Sequence, residues 1–199
     1  MPDKNFDKQR FWYNFSGEAL DTNIWHEATG TGSPTYQMAN VVDGGFEIIT
    51  GTTAGNHGFL SFNDTARFLD EDASVIIGTI QAVSSADDRT VVGGVNNVAF
   101  TNHWCFVGLE TNNNDTNFNI STNGGSTTNT STGVAKNANF NAFKITMNPA
   151  DIDVSVNGGT ATNVTLNLPT LPLQPFFFQD TRTTAAKTGR IKYYEAYGT

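Results

Sequence analysis

The chain has 199 residues, a formal net charge of −8 and a sequence pI near 4.6, with 15% charged and 38% hydrophobic residues. A balance this acidic, with its eleven Lys and Arg scattered, excludes a nucleic-acid partner, which needs a basic stripe to displace counterions from phosphates. The single cysteine excludes an intrachain disulfide, and no apolar run approaches the ~20 residues that a membrane-spanning helix needs.

A chain of this length fits one domain and can bury a core without covalent staples. Met1 to Arg10 is polar and reads as an N-terminal arm, and residues 11–199 read as a single domain. Met1 is followed by Pro2-Asp3-Lys4-Asn5, with no apolar segment of the kind a secretory signal carries. Phe11 to Phe15 is the first expected strand, and Trp25 is expected to pack under a sheet. Gly44 to Thr50, Gly58 to Phe62, Ser74 to Val83, Arg89 to Val95, Trp104 to Glu110 and Asn117 to Thr122 follow as strands. Turn signals separate them about every ten residues, the rhythm of sandwiches and barrels. Gly124 to Thr132 is polar and Thr-rich, with no apolar alternation.

The clearest pattern lies near the C-terminus. Phe143, Ile145 and Met147 alternate with polar or small residues, and after the Asn148-Pro149 turn so do Ile152, Val154 and Val156. Period-two alternation puts one set in a core and the other in water. Asn157-Gly158-Gly159 reads as a tight hairpin turn, since Asn and Gly accept positive φ at little cost. Thr160 to Leu168 is expected to run back as its partner. Pro169, Pro172 and Pro175 are expected to break pairing. Phe176-Phe177-Phe178 reads as a buried run, and Arg190 to Tyr197 as the closing strand, with Ile191, Tyr193 and Tyr197 on one face. Nothing reads as a long amphipathic helix. The fold class expected is all-β, one antiparallel jelly-roll β-sandwich.

The ordered series Gly124-Gly125-Ser126-Thr127-Thr128, Thr132-Gly133-Val134-Ala135, Phe143-Lys144-Ile145, Val156-Asn157-Gly158, Leu168-Pro169 and Gly189-Arg190-Ile191-Lys192-Tyr193-Tyr194 resembles the concanavalin A-like (laminin-G-like) β-sandwich domains of bacteriophage and viral structural proteins. The likeness runs over Phe100 to Thr199 and is loose before it. It implies a structural or decorating protein of a virion, in contact with other virion proteins or copies of itself, on the virion surface or outside the cell. An arm on a compact sandwich is either disordered or ordered by a neighbouring subunit.

Chemistry is sparse in the sequence. Glycoside hydrolysis needs two carboxylates across the scissile bond, and alternate acids on one core strand are not found. Asp151 and Asp153 alternate opposite Ile152 and Val154 and are expected to face water. Asp70-Glu71-Asp72, Asp87-Asp88 and Asn112 to Asp115 are oxygen-rich but lack EF-hand spacing. His26, His57 and His103 lie far apart, with one cysteine to join them, so no zinc site is expected. Cys105 reads as a buried thiol. No catalytic residue, metal or cofactor is therefore expected, and the protein is expected not to be an enzyme. Glycan binding needs an aromatic platform flanked by polar groups. Trp104 with His103, Asp180 with Arg182, and Arg89 are the residues assigned to it, as a lectin-like alternative to the virion role, with a hydrolase or lyase behind both.

Overall fold

The computed structural model describes residues 10–16, 19–28, 30–40, 44–62, 69, 73–84, 86–99, 101–110 and 116–198. The acidic run at 70–72, the stretch 112–115 and residues 1–9 of the arm lie outside them. The strands, in chain order, are β1 (Arg10–Asn14), β2 (His26–Ala28), β3 (Thr35–Met38), β4 (Phe46–Ile49) and β5 (His57–Ser61). Then come β6 (Ser74–Ala82), β7 (Asp88–Val95), β8 (Trp104–Glu110), β9 (Asn117–Asn123) and β10 (Thr127–Ala135). The last are β11 (Asn141–Met147), β12 (Ile152–Val156), β13 (Thr162–Val164), β14 (Gln174–Thr181) and β15 (Thr188–Gly198).

They form two antiparallel sheets. Sheet A runs β13-β12-β11-β6-β15-β4-β3, with β1 also on β15, and sheet B runs β10-β9-β8-β7-β14-β5-β2. Leu60, Val92, Val107, Ile120 and Phe177 of sheet B meet Ile48, Ile76, Phe143, Ile145 and Ile191 of sheet A in one core. In β11 and β12 the inward residues are the apolar phase of an alternating strand, whereas β5, β7, β8 and β14 of sheet B are buried on both phases. The Asn157 turn forms as expected, with φ of 52° at Asn157 and 72° at Gly158, and Gly159 N–H donating to Val156 O at 2.9 Å.

The short strands β2 and β3 were not among the expected ones, and four further elements differ from the expectation. The return strand after Asn157 is only Thr162–Val164. Beyond it the chain crosses to sheet B, where Thr122 Oγ1 donates to Leu166 O at 2.9 Å and Asn167, with φ of 50°, bonds Thr128. The polar stretch after Gly124 forms the nine-residue edge strand β10, in which Val134 alone among the larger apolar residues packs against the core. Edge pairing asks for no apolar alternation. Pro175 lies inside β14 opposite Gly94, just before pairing with β5 begins at Phe176. The closing strand carries a bulge between Ile191 and Tyr193, which shifts the buried phase to Ile191, Tyr194 and Ala196. At this bulge β15 passes from β4 to β1, and Phe15 N–H donates to Lys192 O at 3.0 Å.

Candidate functional site

Sheet B buries side chains on both faces. Its outer face carries a second cluster of Phe59, Val91, Val95, Phe106, Phe176 and Phe178, with Val98 and Trp104 packed against it. The cluster floors a groove of about 680 Å³, inside the range of ligand sites.

Strand register orders the floor in rows. His57, Asp180, Arg89 and Glu110 stand side by side on β5, β14, β7 and β8. The next row holds Phe59, Phe178, Val91, Gly108 and Asn119. The third holds Ser61, Phe176, Gly93, Phe106, Ser121 and Asn129. A Cβ on Gly93 would strike the Cys105 carbonyl oxygen and Phe106 Cα, so glycine is what lets the β8 main chain approach there. Trp104 opens the fourth row; its ring stacks on Phe106 at 5.9 Å and 14°, and its Nε1 donates to Ser121 Oγ at 3.1 Å. Val98 and Ala99, in the β7–β8 loop, line one side of the groove, and Thr127 and Asn129 line the β10 end.

The charged row is tightly paired. Arg89 Nε bonds Glu110 Oε2, and Arg182 Nη2 donates to Glu110 Oε1 at 3.1 Å. Arg182 Nε lies 3.1 Å from Asp180 Oδ1, an ion-pair contact without hydrogen-bond alignment. The Arg89 guanidinium stands 5.8 Å from the Phe106 ring centre and 5.4 Å from that of Phe178, cation–π distances. Desolvation pushes the Asp180 carboxyl above its ordinary range, and the neighbouring guanidiniums Arg182 and Arg89 pull against that rise. His57 stacks on Phe178, and its Nδ1 lies 2.9 Å from Gly55 O. A carbonyl accepts only, so Nδ1 carries the proton and Nε2 of the neutral ring is a lone pair.

Of the residues assigned from the sequence, Arg89, Trp104, Asp180 and Arg182 come together in this groove. His103 does not line it. It ends the β7–β8 loop with φ of 55°, and its Nδ1 accepts the Thr170 N–H at 3.2 Å, fastening that loop to the segment before β14. Glu110 and His57 were not legible as site residues. Glu110 closes a strand that is otherwise apolar, but it shares the phase of Trp104 and Phe106, and that spacing of two was the available signal. The expectation that no acid pair exists is corrected, because two strands supply one acid each, Glu110 from β8 and Asp180 from β14.

The other oxygen-rich stretches do not join the groove. Asp151 and Asp153 flank and enter β12 on sheet A, bonded by Asn148 and Asn163. Asp88 is fully buried at the start of β7 instead of turning in solvent. Burial also pushes the Cys105 thiol up to about 12, too high for a nucleophile at neutral pH. Among the described residues no cluster of three or more His, Cys, Asp or Glu could hold a metal, and no helix is long and apolar enough to cross a membrane.

Solved structures share this architecture along nearly the whole chain. A glycosidic hydrolase in its native form aligns with a TM-score of 0.66 at 15% identity, covering 94% of this chain and 95% of its own. The Bacillus licheniformis β-glucanase aligns at 0.64 and 10% identity, covering 96% and 98%. An immunostimulatory antigen and pseudo β-1,3-glucanase of Mycobacterium tuberculosis aligns at 0.64 and 10%, covering 95% and 98%. The fold is the concanavalin A-like jelly roll. No family model and no curated protein matches the chain.

The expectation of a protein that is not an enzyme is corrected by these neighbours, which include a glycosidic hydrolase and a β-glucanase on the same scaffold. The sandwich expected from the jelly-roll resemblance is present, but its phage and viral setting gains no support.

Proposed function

We propose that the protein is carbohydrate-active and takes a polysaccharide chain along the outer face of sheet B. The observation that carries this reading is the groove itself: an aromatic floor ending in the half-buried indole of Trp104, with carboxylate, guanidinium, hydroxyl and amide groups around it. Sugars present apolar C–H faces ringed by hydroxyls, and such a lining matches both. The β-glucanases and glycosidic hydrolase that share the fold support the same substrate class.

Titration calorimetry of the full chain against a panel of soluble polysaccharides tests the reading. Trp104→Ala is expected to weaken the bound ligand about ten-fold, or 1.4 kcal/mol. A folded protein that binds nothing on the panel, or a Trp104→Ala variant that binds as well as the parent, overturns it.

Hydrolysis of the bound chain is the second reading, favoured by Glu110 and Asp180 meeting at one guanidinium, that of Arg182. Asp180, desolvated and pushed up, is the proton donor of this reading. Glu110, held by two guanidiniums, is the base or nucleophile. Release of reducing ends measures turnover. Glu110→Gln and Asp180→Asn are each expected to lower kcat roughly 10²–10⁴-fold, the usual contribution of a positioned acid or base. A panel without turnover removes hydrolysis and leaves binding in place.

A further inference from the structure

We infer that the polysaccharide taken by this groove is acidic, with a carboxylate or sulfate group seated against Arg89 and Arg182. The inference rests on the carbohydrate reading above and adds the class of sugar. Its basis is a surplus of aimed donors. Arg89 spends only Nε, on Glu110, and its guanidinium stands at cation–π distance from the Phe106 and Phe178 rings. Among the described residues, its Nη1 and Nη2 make no hydrogen bond. Arg182 spends Nη2 on Glu110 and holds its buried Nε against Asp180 Oδ1, so Nη1 is the nitrogen it leaves unspent among the described residues. In the groove that both arginines line, the two Nη groups of Arg89 and Nη1 of Arg182 are therefore left to meet a planar or tetrahedral oxyanion.

The neighbouring carboxylates balance the formal charge but do not use up the donors. The side chains of Arg89 and Arg182 are each 24% exposed, against 12% for Glu110 and 7% for Asp180, so the cations are the more open partners. In a chain of net charge −8, two guanidiniums against two carboxylates leave this row formally neutral, not acidic. A neutral glucan offers only hydroxyls there and would leave the unspent donors without anionic oxygens. An acidic sugar supplies them, while Trp104 stacks on an adjoining ring. Uronate and sulfate ester share the chemistry, and separate ligands tell them apart.

The test is titration of the full chain with three oligosaccharides of matched length: a neutral β-glucan, an oligouronate and a sulfated oligogalactan. The expected result is at least ten-fold tighter binding of one acidic ligand than of the neutral one, falling as NaCl is raised from 50 to 500 mM. Arg182→Lys keeps a positive charge beside Glu110 and Asp180 but loses the fork, and it is expected to close most of the gap between acidic and neutral ligands. Circular dichroism confirms that the variant is folded, and Arg89→Lys serves as the second variant should it not be. Equal or tighter binding of the neutral β-glucan overturns the inference and leaves the carbohydrate reading standing. Preference for an acidic ligand that survives both substitutions overturns the assignment to these arginines. Failure of all three ligands to bind the folded chain overturns the carbohydrate reading and this inference together.

Discussion

Trp25→Ala is expected to lower the folding free energy by about 3–5 kcal/mol and Tm by roughly 6–20 °C. Trp25 is fully buried and is the largest of the buried side chains. Its ring meets Phe11 at 5.9 Å, Tyr13 at 6.1 Å, Phe15 at 5.3 Å, Phe62 at 5.4 Å and Tyr194 at 5.6 Å, mostly edge to face. Those rings come from β1, the segment after it, the end of β5 and β15, so one indole joins the N-terminal part of the chain to its last strand. Truncation leaves a cavity between elements that cannot all collapse into it. Trp25→Phe is expected to cost much less. It keeps an aromatic ring, and it removes a buried Nε1 that makes no hydrogen bond among the described residues. Chemical denaturation of both variants checks the order. A Trp25→Ala loss below about 1 kcal/mol would show that these rings repack without it.

Asp88→Asn is expected to stabilise the protein at pH 8 and to change it little near pH 4. Burial raises the Asp88 carboxyl from its ordinary 3.8 to about 7, against hydrogen bonds from Gln179 and Thr90 that favour the anion. Gln179 Nε2 donates to Asp88 Oδ1 at 2.6 Å. Thr90 Oγ1 lies 3.1 Å from Asp88 Oδ1 and 2.5 Å from Gln179 Oε1, with one proton for two acceptors. A proton on Asp88 relieves that shortage. The folded state therefore holds a proton that the unfolded chain releases between pH 3.8 and about 7. Stability from this group is intact below the lower value, falls as pH rises through the window, and is fully lost above about 7. At 1.36 kcal/mol per pH unit, the gap between 3.8 and about 7 is worth about 4 kcal/mol as an upper bound. Asn keeps the accepting Oδ1 without the charge. Stability curves of parent and variant at pH 4 to 8 should diverge as pH rises, and parallel curves would refute the assignment.

The strands were legible where one face is apolar. Phe143, Ile145, Met147, Ile152, Val154 and Val156 announce β11 and β12 because alternation is a direct imprint of half-burial. β10 left no such imprint, since an edge strand of Thr, Ser and Asn is held by main-chain bonds to β9. The bulge at Lys192 was hidden because a slip of one residue leaves composition unchanged while exchanging faces. Arg89, Trp104, Asp180 and Arg182 could be picked out by residue type. Their convergence could not, because β7, β8 and β14 become neighbours only through a sheet order that crosses 70 residues between Glu110 and Asp180. The Glu110–Asp180 pair escaped for the same reason: a search for alternate acids along one strand cannot see acids brought together from two.

The pairing of β15 sets the timing of folding. Tyr194 lies opposite Gly78 on β6, and Tyr197 lies opposite Arg10 on β1, so the centre of sheet A is assembled from opposite ends of the chain. Hairpins such as β8–β9 and β11–β12 close over a few residues and form early, whereas this pairing must wait for a long loop to close. Until β15 docks, β6 and β4 have a gap between them where it belongs, and the folding chain is a sandwich with one slot open.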